Sequence, residues 1–317
     1  MQFDQHLWNI IKNSRYLSDD QKKVVDPVIS RNAFMAHLKN LLLSMLADER
    51  EDPLALIIRL FAGLSRQEDL LPRFNFAHFC GVLLSYYFSK AAMTFMFTGK
   101  SSTKNKLLHR NLKVTKWVQK WYEGDVWDVN DSAHQTLSIV RSMHARVGKK
   151  MAALNDDVVY ISQWDMVLGQ WAFVGPIVLC PSLVGLHGWT NDDYDTIIHF
   201  WRTIGYLLGM EDEYNLCQGS YNQVLTACEK ILHKEYKPVV EKSDPISVVL
   251  AKNSTEAMSM VVPLYTWPAL ATYIYELVGL SCPVEVGIID NICYSLIHFM
   301  MTFLIKFDRV RVCVNAN

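Results

Sequence analysis

SAHQTLSIVRSMHARVGKKM, residues 132–151, reads as an amphipathic helix with one anomaly. Ala133, Leu137, Val140, His144, Val147 and Met151 recur at alternating steps of four and three residues, which in an α-helix is one line along one face. His144 falls in the middle of this expected buried stripe, so an imidazole stands where a leucine would be expected.

The same period recurs on both sides. It predicts helices at about 30–49, 53–65 (Asp52 as cap, Pro53 at the first position), 75–98, 102–123, 132–152, 163–175, 192–208, 219–236, 254–279 with a proline break, and 286–307. Ser162-Gln-Trp-Asp165 has the spacing of a capping box with Asp in place of Glu, and Gly209 follows the stripe Ile197, Trp201, Ile204, Leu208 as a left-handed terminator. No alternating stretch with Asn-Gly or Asp-Gly turns reads as a hairpin. The fold class is therefore all-α, and with no internal repeat or Pro/Ser/Gly-rich linker the chain is expected to be one large helical domain over 1–317.

Half of the 317 residues are hydrophobic, 12% are aromatic and 20% charged, enough for a large core and incompatible with disorder as the main state. Thirty-one basic against 32 acidic side chains give a formal charge of -1, so the chain as a whole has no electrostatic reason to bind nucleic acid. Seven scattered cysteines without a CxxC argue against a disulfide framework or zinc ribbon and for reduced thiols. The N-terminal MQFDQHLWNIIKNSRYLSDDQKK lacks a signal-peptide pattern, so a cytoplasmic location is expected. The uncharged run 166–191 is interrupted by Gly175-Pro176, Pro181, Gly185 and Gly188, 257–275 contains Pro263 and Pro268, and 291–305 is short for a span. These segments predict no crossing and leave peripheral attachment to the cytosolic face of a membrane open.

No GxGxxG, GxxxxGK[ST], HExxH, GxSxG or CxxCH is present, which removes the main support for nucleotide-binding and serine-hydrolase readings. The chemistry then rests on histidines and basic residues in apolar helices. His144 has two readings: a core histidine donating to a backbone carbonyl, or an axial ligand to haem iron, which needs a neutral imidazole in a dry pocket with its second nitrogen held by a hydrogen bond. Arg141, one turn earlier, is either solvated or placed to pair with a haem propionate. From Leu71 to Tyr122 there is no Asp or Glu, yet nine Lys and Arg, a block that reads as a solvated surface or one touching acidic lipid headgroups. Within it Arg110, Lys113 and Trp117 share a helix face and suit an anionic or oxygen-bearing ligand.

RNLKVT at 110–115, VRSMHARV at 140–147, SQWDMVLGQWAF at 162–173 and FWRTIGYLLGMEDEYN at 200–215 resemble, in order and spacing, the haem-b oxygenases that comprise the latex-clearing proteins (rubber oxygenases) and the fungal ER-bound oxygenase of mycophenolic acid biosynthesis. The resemblance covers roughly residues 70–236. It implies a globin-like core with added helices and haem b whose iron is held by His144, with Arg141 and Trp201 also on the cofactor's side. It further implies a distal lysine at Lys113 and a distal-face arginine at Arg110. The family's threonine directly follows that lysine; here Val114 stands there, and Thr115 comes one residue later, about 100° further round. The implied reaction is addition of O2 across a double bond of an isoprenoid or other unsaturated apolar substrate. The rubber-cleaving members' distal glutamate has no counterpart in the acid-free 71–122 stretch.

Three expectations compete: a haem-dependent oxygenase, a non-catalytic haem- or lipid-binding protein that has lost the base, and a helical scaffold in which His144 is core. Cys180-Pro181 and Cys282-Pro283 read as ordinary dipeptides, Glu229 and His233 as an exposed pair, and Glu211, Asp212 and Glu213 as a solvated loop.

Overall fold

The computed structural model describes residues 75–154 and 157–303. The helices expected at 30–49 and 53–65, with Asp52 and Pro53, lie outside the described residues. The described elements are α1 Asn75–Ser85, α2 Ser89–Phe97, α3 Lys104–Glu123, α4 Ser132–Ala152, α5 Gln163–Leu179, α6 Asn191–Leu208, α7 Tyr221–Ile231, α8 Lys237–Lys242, α9 Pro245–Met258, α10 Trp267–Leu277 and α11 Ile288–Thr302. Short 3-10 turns follow α5 (Pro181–Val184) and α6 (Asp212–Tyr214), and a π turn, Leu232–Tyr236, joins α7 to α8. No strand occurs among the described residues, and the class is all-α.

Helix α4 has the expected bounds, 132–152, with the Asp131 side chain accepting from the Ala133 N–H as its cap. The Ser162 capping box is present, closed by Asp165, and Gly209 ends α6 at φ 102°. Three expectations need correction. The 75–98 segment is two helices, because the chain turns at Tyr86–Phe88, which lets the consecutive rings of Tyr86 and Tyr87 both be buried. The 219–236 segment does not end at 236 but passes through the π turn to Lys242. The 254–279 segment does break at its prolines as expected, with α10 starting afresh at Trp267-Pro268 under a Thr266 cap, but its first part, α9, begins earlier, at Asp244-Pro245.

Helix α5 runs through the centre, buried on several sides by Val167, Trp171, Val174, Ile177 and Val178. Helix α1 crosses it so closely that a Cβ on Gly81 would lie 1.6 Å from the Ala172 carbonyl oxygen. On the other side Trp171 stacks on Tyr236 at 3.7 Å between centroids and donates its indole N–H to the Cys228 carbonyl at 3.0 Å. Each fully buried aliphatic or aromatic side chain of this core contributes roughly 1.5–3 kcal/mol through removal from water. Helix α3 is held to α9 by a buried Asn111–Ser254 hydrogen bond (2.9 Å) and to α4 by the Trp121 N–H donating to Thr136 (2.9 Å). Helix α4 also packs on α6. Cys80, Cys180, Cys217, Cys228, Cys282 and Cys293 are all free thiols, four of them buried. Among the described residues no helix is long and apolar enough to cross a membrane.

Candidate active site

The line on α4 is buried at Ala133, Leu137, Val140 and Met151, but only half-buried at His144 and Val147. His144 thus sits near the edge of the stripe it was expected to centre. Its Nδ1 is nevertheless sealed from solvent and makes no hydrogen bond, so this nitrogen does not donate to a backbone carbonyl as a satisfied core histidine would. Burial lowers the pKa of the ring, which keeps it neutral at neutral pH. A neutral imidazole with an enclosed nitrogen is able to ligate iron, and the residue fits that role in charge and burial, whereas the hydrogen bond that ordinarily orients a ligating ring through its second nitrogen is not made by Nδ1. Among the described residues no group of three or more His, Cys, Asp or Glu could hold a bare metal ion, so a metal here would bring its remaining ligands with it.

Arg141 is exposed, and its Nη1 donates to the Leu207 carbonyl at 3.4 Å, beside Gly209. A cation at the C-terminus of α6 is favoured by the helix dipole, so the residue ties α4 to α6. Arg110 lies with its Cζ 3.9 Å over the Phe95 ring and donates to the Ser101 hydroxyl at 3.1 Å. Lys113 is exposed, its ammonium 4.6 Å over the Trp117 ring, and Thr115 is half-buried. Arg110 and Lys113 are thus each engaged with an aromatic neighbour of α2 or α3.

Trp201 lies elsewhere, in a cluster that pattern reading missed. Its indole N–H donates to the Tyr122 hydroxyl at 2.9 Å, and that hydroxyl lies 2.9 Å from Nε2 of His78. In the Tyr122–His78 bond either group can donate, according to the tautomer of the imidazole. Phe173 stacks on Trp201 at 4.7 Å and Phe200 on Tyr122 at 4.5 Å, closing an aromatic cage. Desolvation pushes His78 down to about 3, so the ring is neutral throughout the physiological range. The signal that would have found it was the one that marked His144: an imidazole inside an apolar helical run, FAHFCGVLL at 76–84.

Gln170 and Asn215 form a second buried centre. Gln170 donates to the Trp201 carbonyl and to Asn215 and accepts from the Leu216 N–H, while Asn215 donates to the Arg202 carbonyl. Gln163 adds bonds to the Gly209 carbonyl and the Glu211 N–H. The 162–173 and 200–215 segments are therefore hydrogen-bonded to each other and fix α6, with Trp201 on it. Helix α3 does contain one carboxylate, Glu123 at its last position, exposed and accepting from Gln119. A second reaches its start from α9, where Glu256 pairs with Lys104 at 2.6 Å. Asp165, at the start of α5, pairs with Lys90 at 2.6 Å.

A family model described as the catalytic domain of ER-bound oxygenase mpaB/B'/Rubber oxygenase matches residues 75–279. Neither a curated protein nor a solved structure matches the chain.

Proposed function

The chain belongs to the mpaB/rubber oxygenase family, and from that premise we propose that it is a haem b-dependent oxygenase in which His144 holds the iron, acting on an isoprenoid or other unsaturated apolar substrate. The observation that carries the reading is the enclosed, unpartnered Nδ1 of a neutral His144. Haem bound there supplies O2 binding and activation. The chain's own share is to present a neutral ligand, exclude water and position an apolar substrate.

The register of α3 against α4 supports a place for Lys113 near that ligand. Trp121 and Thr136 are bonded, and eight positions back along α3 is Lys113 while eight forward along α4 is His144. Where a helix folds back on its neighbour, equal counts from a shared contact end at the same level, about 12 Å along each axis. Lys113, hydrated except for its contact with Trp117, would then act as a mobile cation beside the cofactor. Arg110 would hold the adjoining wall through Phe95, and Thr115 would offer a hydroxyl from the half-buried side of α3. Arg141 and Trp201 complete the cofactor's surroundings in this reading, which takes 1–317 as one domain with a globin-like fold, about 70–236 as its haem-binding core, and the cytoplasm as its location, with attachment to the cytosolic face of a membrane left open.

The test is an absorbance spectrum of purified protein, oxidised and reduced, with iron quantified. A Soret band that His144→Ala abolishes is expected; colourless, iron-free and fully stable protein overturns the proposal. A second reading, a non-catalytic haem- or lipid-binding protein, is favoured by the lack of any Asp or Glu on α3 before Glu123. It predicts bound haem or bound lipid with no O2 consumption on any unsaturated apolar substrate.

A further inference from the structure

Helix α2 turns Ala92 and Phe95 inward and carries Met93, Met96 and Phe97 outward, 45%, 46% and 40% exposed. A nine-residue helix with three large apolar side chains in water has a face that is unpartnered among the described residues. Immediately after it comes the opposite chemistry. Lys106, His109, Lys113, Lys116 and Lys120 follow one another along α3 at steps of three and four residues, the spacing of a core stripe, and every one of them is exposed. The stripe is about 21 Å long. Lys100, in the turn between the two helices, is exposed as well.

The carboxylates around this face do little to neutralise it. Glu256 is committed to Lys104 and Asp165 to Lys90, while Glu123 and Asp131 stand only at the far end, beside Lys120. Lys100, Lys113 and Lys116 have no carboxylate partner among the described residues. In a chain of formal charge -1, this concentrates positive charge along one face of α3.

We propose that the outer face of α2 and the cationic stripe of α3 together form a docking surface for an anionic lipid bilayer, with Met93, Met96 and Phe97 entering the headgroup–acyl boundary and Lys100, Lys106, Lys116 and Lys120 meeting lipid phosphates. Two chemistries side by side select this occupant. Lysines alone would suit any polyanion, but methionine and phenylalanine gain nothing against a phosphate backbone and gain burial in a bilayer. A second copy of the chain would set one basic stripe against another. The inference is independent of the haem reading.

The test is co-sedimentation of the full chain with vesicles of phosphatidylcholine plus phosphatidylserine, and of phosphatidylcholine alone. Pelleting with the anionic vesicles only, reduced by high salt, is expected. Lys100→Gln, Lys116→Gln and Lys120→Gln combined should weaken it roughly a hundredfold, at about fivefold for each lysine near the surface. Met93→Ser, Met96→Ser and Phe97→Ser combined should weaken it again. Circular dichroism should show both variants folded, since every replaced side chain is exposed. The proposal is overturned if the full chain stays in the supernatant with both vesicles, if binding survives both sets of substitutions, or if duplex DNA binds as tightly as the anionic vesicles and with the same loss in the lysine variant.

Discussion

Tyr122 serves two buried nitrogens with one hydroxyl, accepting from Trp201 and facing Nε2 of His78. Replacing it with phenylalanine leaves both polar groups short of a partner in an apolar cage, at a cost of about 2 kcal/mol, readable as a lower urea midpoint at unchanged slope. His78 makes the cage sensitive to acid. Its pKa is about 3 in the folded chain against an ordinary 6.5, so as pH falls below 6.5 the unfolded chain takes up a proton that the folded chain refuses. Stability therefore falls from about pH 6.5 downward, by about 1.4 kcal/mol per pH unit for such a histidine, and this contribution is flat above that range. His144 is lowered in the same direction and adds to the slope. Urea unfolding at a series of pH values should show that dependence, and His78→Leu should flatten it; an unchanged slope in the variant would remove His78 as its source. Gly81 is the third residue-scale constraint: with backbone 1.6 Å from any Cβ, Gly81→Ala must push α1 off α5 and should cost about 3 kcal/mol in the same assay.

At the scale of elements, the start of α5 has the clearest consequences. The Ser162 side chain accepts from the Asp165 N–H while Asp165 accepts from the Ser162 N–H and hydroxyl and pairs with Lys90. Ser162→Ala should lower stability by about 1 kcal/mol and Asp165→Ala by more, since it also strips Lys90 of its partner; equal losses in thermal melts would show the ion pair to be idle. That cap, the bounds of α4 and the stop at Gly209 were legible in sequence because each depends on neighbours within a few residues. The split of α1 from α2 and the π turn were not, since burial of Tyr86 and Tyr87 and the stacking of Tyr236 on Trp171 decide them from a distance. The onset of α9 was hidden for another reason. Ser247, Ser254 and Thr255 are fully buried polar residues, and they blur its apolar period. The site divides in the same way. His144 could be picked out from its own helix, whereas the Trp201–Tyr122–His78 chain joins residues 79 and 44 positions apart. Glu256, which brings a carboxylate to α3, comes from beyond any window searched around that helix.

For the whole molecule, a ligand that binds only the folded chain raises its melting temperature by mass action. If haem is held by His144, a stoichiometric amount should raise the melting point of the wild-type chain and leave that of His144→Ala unmoved; an equal rise in both would place the binding elsewhere. The six free cysteines among the described residues give such experiments a built-in gauge. Burial pushes the thiols of Cys80, Cys217, Cys228 and Cys293 upward in pKa, so almost none is thiolate while the helices stay packed. They belong to α1, the segment after α6, α7 and α11, so alkylation at each position, read by mass spectrometry, clocks how often that region opens. Uniform labelling rates would mean that the helices come apart together, and a graded set would map which part of the chain lets go first.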